Sequence, residues 1–142
     1  MSTNNKILVI GDCHVTNKQS LRRFKWLGNY IKENIPDYLV FMGDFLTLNS
    51  LSAWDRDKRL LMEGRRFFQE IDAGNEALDL LELGQYENIT KVFIHGNHED
   101  RLTRYVQTHP ELADERTTVA SLLQLKERGF QCTAYRDYTS IG

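Results

Sequence analysis

VFIHGNHEDR, residues 92–101, is an apolar run that stops at Gly96 and then presents Asn97, His98, Glu99 and Asp100 in succession. A run this short reads as a buried strand. Polar side chains gathered just past a strand end belong to the edge where parallel sheets carry their sites. Two earlier stretches repeat the arrangement: ILVIGDCH, residues 7–14, carries Asp12 and His14 beyond its glycine, and YLVFMGDF, residues 38–45, carries Asp44. Three strands that each run into glycine and then a coordinating side chain imply one parallel sheet, whose C-terminal edge gathers the three loops.

Between these strands the chain reads as helix. Leu21, Phe24, Leu27 and Ile31 recur at helical spacing, with Arg22, Arg23, Lys25, Lys32 and Glu33 on the other side. Pro36 closes that helix before the second strand, 38–42. The first strand, 6–10, is apolar after Lys6, as expected for a strand covered on both faces. A long helical region spans about residues 56–83, its buried stripe formed by Leu60, Leu61, Phe67, Phe68, Ile71, Leu78 and Leu81. Gly64 and Gly74 interrupt it, which allows one helix or two. The third strand is 91–95. Beyond it, 102–109 reads as a helix stopped by Pro110, 119–128 as another capped by Gly129, and 130–135 as a fourth strand. Strand, helix and strand in this order give right-handed crossovers and parallel pairing, hence an α/β fold in a single domain, residues 1–142.

With 142 residues, 41% of them hydrophobic and 27% charged, the chain has room for one real core. Its 18 basic and 20 acidic residues leave a net charge of -2, so no global field advertises a nucleic-acid or membrane partner. The N-terminus lacks a signal-peptide core, and no run approaches the roughly 18 apolar residues of a membrane span. Two cysteines far apart, without a secretory signal, point to reduced thiols in a cytoplasm. Cys13, between Asp12 and His14, is expected to turn away from them as a packed thiol.

Asp12, His14, Asp44, Asn97 and His98 form the candidate constellation. Two carboxylates, imidazole and an amide oxygen suit a divalent ion of intermediate softness such as Mn, Fe or Zn better than Mg or Ca alone. Asp44, alone on its loop between the other two, is the natural bridge between a pair of ions. His95, just before the glycine, reads as structural, and His109 as a cap or surface residue. Glu99 and Asp100 favour the exposed N–H groups of a helix start whatever the function.

The segments Asp12-Cys13-His14, Gly43-Asp44 and Gly96-Asn97-His98-Glu99 together resemble the calcineurin-like metallophosphoesterase family, with its D-x-H, G-D and G-N-H-[DE] signature. SLSAWDRD and EIDAGNEALDLL are similar to its phage and prophage members. The resemblance implies a β-sandwich flanked by helices, with only the N-terminal β-α-β-α-β half present in this chain. It implies hydrolysis of phosphomonoesters or phosphodiesters, nucleic acid or nucleotides among them, at a dinuclear site holding two divalent metal ions. Mn is the expected metal, with Fe or Zn as alternatives. In that scheme Asp12 and His14 bind the first ion, Asp44 bridges, and Asn97 binds the second and meets the substrate. His98 is the catalytic group facing the leaving oxygen. Arg101, with Arg56 and Arg104 behind it, clamps a phosphate oxygen.

Two departures from the family pattern bear on these expectations. The family completes its metal shells with later histidines, including a G-H-x-H pair, and no histidine follows His109 here. The missing ligands are therefore expected from a second chain, a second copy of this chain, or C-terminal residues lost from the gene, and a second chain or copy is expected to cover an open sheet face. A non-catalytic relative acting as a binding or regulatory partner is the alternative. At Thr47 many members carry an aspartate that orients the catalytic histidine; threonine can accept a hydrogen bond there but brings no charge.

Overall fold

The computed structural model describes residues 4–52 and 64–141. Arg56, Leu60 and Leu61, with the start of the long predicted helix, lie outside the described residues. Four strands, β1 (Ile7–Ile10), β2 (Tyr38–Met42), β3 (Thr90–Ile94) and β4 (Phe130–Thr133), form one sheet in the order β1-β2-β3-β4. Every neighbouring pair is parallel. The helices are α1 (Arg22–Glu33), α2 (Gly64–Leu80), α3 (Asn97–Thr108) and α4 (Val119–Leu122). No described helix is long and apolar enough to cross a membrane.

The register explains where the core lies. Ile10, Phe41, Phe93 and Cys132 stand side by side across the sheet, and Leu39 shares their face because side chains alternate along a strand. Leu39, Phe41 and Phe93 cluster with Phe24 and Ile31 of α1, with Ile71, Ala77 and Leu78 of α2, and with Leu102 of α3. All of this packing is on one face. Strand order without reversal accounts for it: successive right-handed crossovers that step in the same direction lay every helix on the same side.

The other face carries Ile7, Val9, Val40, Met42 and Val92. Val40 and Val92 are buried at its centre, but Ile7, Val9 and Met42 are 47%, 54% and 51% exposed. The apolar run of β1 therefore does not mark a strand covered on both faces. It marks the edge of a sheet whose second face is open at that end.

Three element boundaries differ from the sequence reading. α2 passes unbroken through Gly74, where a Cβ would sit 2.6 Å from Leu46 Cδ2 and 2.9 Å from Leu123 Cδ2, so the glycine serves close packing rather than a break. α4 stops at Leu122 instead of running to 128. Leu123 and Leu125 are both fully buried, and residues two apart cannot share one helical face; a turn with Gln124 at φ 54 lets both point inward. α3 begins at Asn97, five residues before the expected start, and so takes Asn97 and His98 into its first turn.

Candidate metal centre

The loops after β1 and β2 are held together before any side chain is considered. His14 N–H donates to Asp44 O at 3.0 Å, Val15 N–H to Phe45 O at 2.7 Å, and Thr47 N–H to Val15 O at 2.9 Å, a short parallel bridge between Val15 and Leu46. Phe45, fully buried, packs edge-on against Phe41 at 5.3 Å and Phe93 at 5.6 Å, which gives the loops an aromatic floor. His14 and Asp44 both take left-handed backbone, φ 46 and 50. Such conformations are costly for residues with a Cβ and persist where the surroundings over-determine them, often at functional sites.

The β3 loop is fastened to this pair by glycine and by Glu99. A Cβ on Gly96 would lie 2.2 Å from Asp44 Oδ1 and 2.4 Å from Asp44 N, so only glycine allows the approach. Glu99, 1% exposed, accepts from Asp44 N and Gly96 N through Oε2 and from Leu46 N through Oε1, each at 3.0 Å. Its reach to Gly96 N–H is half of a capping box, and its reach to Asp44 and Leu46 ties two strand ends together. The sequence reading, which saw in Glu99 only an acid favoured by a helix dipole, missed this role. A glutamate three residues into a helix that starts straight from a strand-end glycine was the available signal.

These constraints bring the expected ligands together. One ligand atom from each of Asp12, His14 and Asp44 lies within 4.8 Å of the others, with Asp12 exposed and the other two half-buried. His98 N–H, at the amino end of α3, donates to Asp44 Oδ1 at 3.0 Å, placing that carboxylate where a helix start favours negative charge. The side-chain amide of Asn97 faces the same carboxylate, one of its atoms 3.1 Å from both Asp44 Oδ1 and Oδ2. In one orientation of the amide an N–H donates to the carboxylate. In the other, oxygen faces oxygen, an arrangement that a shared cation satisfies. The donor set of carboxylate oxygens, imidazole nitrogen and amide oxygen thus fits a divalent metal.

His98 is oriented by main chain. Its Nδ1 lies 2.8 Å from Thr47 O. A carbonyl only accepts, so Nδ1 carries the hydrogen and Nε2 is left as the outward nitrogen. The His14 and His98 rings are 4.8 Å apart, tilted by 60°. Thr47 therefore does supply an acceptor at the slot where an aspartate is common, but through its backbone; its Oγ1 is buried without a hydrogen-bond partner among the described residues.

The chain belongs to the calcineurin-like phosphoesterase family. The family model matches residues 5–137, which include every described strand and all three ligand loops. No curated protein matches the chain.

Arg101 directs Nη1 to Thr47 O at 2.9 Å and Leu48 O at 3.5 Å, so it shares with His98 the carbonyl that orients the ring. Arg104 pairs with Asp100 at 3.1 Å and donates to Asn97 O at 3.2 Å. It lines, with Asn97, Asp100, Tyr135 and Arg136, an open cleft of about 440 Å³ beside the ligands. His95 extends the β3–β4 ladder, with its N–H and Nδ1 on Thr133 O at 2.9 and 3.0 Å, a structural part as expected. His109 caps α3, stacked on Tyr105 at 4.0 Å. The Cys13 thiol donates to Gly11 O, and burial pushes its pKa up to about 12, which makes it a packed, protonated thiol.

Proposed function

We propose that this chain hydrolyses phosphoester bonds at two divalent cations, Mn foremost, held by Asp12, His14, Asp44 and Asn97. The observation that carries this reading is the convergence of Asp12, His14 and Asp44 on one point, with Asn97 turned to the same carboxylate. Cations bound there would withdraw charge from the phosphoryl oxygens and lower the pKa of a coordinated water. Asp44 sits between the β1 and β3 loops and would be the ligand shared by the two cations. Asn97, at the exposed lip, meets the bound phosphate.

His98 supplies the proton. With Nδ1–H held by Thr47 O, Nε2 is the nitrogen that meets the leaving oxygen. In its doubly protonated form the ring carries a second proton on Nε2; as the oxygen of water bonds to phosphorus and the ester P–O bond breaks, that proton passes to the departing oxygen, the attacking water gives its own proton to solvent, and the ring is left neutral in the Nδ1–H tautomer that the Thr47 carbonyl stabilises. Arg101 keeps that carbonyl in place and is close enough to the ring to face a phosphate oxygen. The Arg104, Tyr135 and Arg136 cleft accepts the part of the substrate beyond the reacting phosphate, with two guanidinium groups and an aromatic face suited to a nucleotide. Further metal donors come from water and from a second chain or second copy.

The test is hydrolysis of p-nitrophenyl phosphate and its bis-ester by the Mn-loaded protein, with metal counted by mass spectrometry. Asp44→Asn is expected to lower turnover at least about 100-fold and to reduce bound metal. Activity that survives Asp44→Asn overturns these roles. A second reading, a non-catalytic binding partner, is favoured by one observation, the exposed Ile7, Val9 and Met42 on the sheet. Two ions per chain after dialysis would rule it out.

A further inference from the structure

Glu70 is buried on α2, 3% exposed. Oε1 accepts from Asn49 N at 2.9 Å; Oε2 accepts from Ser50 N at 3.3 Å and from Ser50 Oγ. These groups belong to the 3-10 turn Asn49–Leu51, which follows directly on Thr47 and Leu48. Leu48 is fully buried and left-handed at φ 48, a conformation that a leucine adopts only under constraint from both sides. Its buried side chain is one side. Glu70 is the other.

We propose that Glu70 is a positioning residue for His98, acting through the main chain of residues 47–50. A side-chain acceptor could be removed by mutating its own residue, whereas the Thr47 carbonyl goes wherever the backbone goes. That backbone is anchored on the β1 loop by Thr47 N–H to Val15 O and on α2 by the Glu70 carboxylate. A carboxylate suits the second anchor because two N–H groups and a hydroxyl converge on it, and Ser50, 2% exposed, holds two of these donors where burial makes an unmet donor costly. Arg101 adds a third hold, on Thr47 O and Leu48 O. An acid on a helix, hydrogen-bonded among the described residues to none of the proposed metal ligands, thereby sets which nitrogen of His98 faces the chemistry. The spacing was readable: Glu70 lies three residues after Phe67 and directly before Ile71, within the apolar stripe of α2, where a charge is out of place unless it is bonded.

This inference rests on His98 being the proton donor, so the experiment has one readout that needs activity and one that does not. In the metal-free protein at pH 8.5, long-range proton–nitrogen correlation of labelled imidazoles should give the pure Nδ1–H pattern for His98. Glu70→Gln should give mixed tautomers, Ser50→Ala an intermediate pattern, and Thr47→Val the wild-type pattern. In the Mn-loaded protein, Glu70→Gln should lower kcat about tenfold for an alkyl phosphate, whose leaving group needs the proton, and less than about twofold for p-nitrophenyl phosphate. Mn affinity and KM should hold. A folded Glu70→Gln or Ser50→Ala protein that keeps a pure Nδ1–H pattern overturns the proposal. Wild-type protein that binds Mn but cleaves neither ester overturns the hydrolase reading alone, and the ring spectrum still decides the role of Glu70.

Discussion

Cys13 stands between two of the proposed ligands and takes no part with them. Burial raises its thiol to about 12, with Arg23 opposing and Glu99 and Asp12 adding to the shift; burial raises Cys132 as well. A folded-state value above the ordinary one near 9 means that the native protein holds the proton longer than the unfolded chain. The stability this contributes is complete below pH about 9 and is lost as pH rises from there toward 12. The urea midpoint is expected to fall across that window, and Cys13→Ala to flatten the fall. At pH 8 a disulfide reagent should label Cys132, exposed at the strand, before Cys13. The packed thiol was legible in sequence from alternation past β1. Position alone marks Glu70 as a charge within an apolar stripe and Glu99 as an acid near a helix start, but not what they fasten, because their distant partners, Asn49, Ser50, Asp44 and Leu46, lie 20 to 55 residues away and leave no mark on periodicity.

Among elements, the decisive junction is between the end of β2 and the start of α3. Glycines at 43 and 96 let the two backbones meet, and Glu99 closes the join with three bonds to main-chain N–H groups. Glu99→Gln keeps the shape but turns an NH2 group toward donors. It is expected to cost about 3 kcal/mol in urea unfolding, since hydrogen bonds to a buried charge are lost and donors are orphaned. Mn affinity should fall about 10–100-fold, as when a group that orients metal ligands is removed. Titration calorimetry checks the second number, and unchanged affinity would mean that the loops hold their places without the staple. The three strands and the three ligand loops could be read from sequence because each strand holds a short apolar run with a glycine at or just past its end. The extent of α4 and the continuity of α2 could not. Both depend on the packing of Leu46 and Leu123, which meet only in the folded chain.

At the scale of the molecule, the sheet has one face under helices and one that opens at β1. An exposed apolar edge is a surface for association, and lysine on edge strands is a common guard against it. This chain has Ile7 and Val9 there instead. The native protein is expected to enhance the fluorescence of an apolar dye such as anilinonaphthalene sulfonate, and Val9→Lys to reduce that signal by at least half while leaving the unfolding midpoint within a few degrees. Equal dye fluorescence in the two proteins would show that this face is not the exposed surface that matters.

The strand order has a further consequence, for how the protein is made. Each strand pairs with the one synthesised just before it, so a chain leaving the ribosome never waits for a later segment to complete an earlier pairing. The D-x-H loop emerges first, the aspartate of the second loop next, and the third loop last. Glu99 follows Asn97 and His98 by one or two residues. The residue that fastens the loops thus reaches the site together with the last of its ligands.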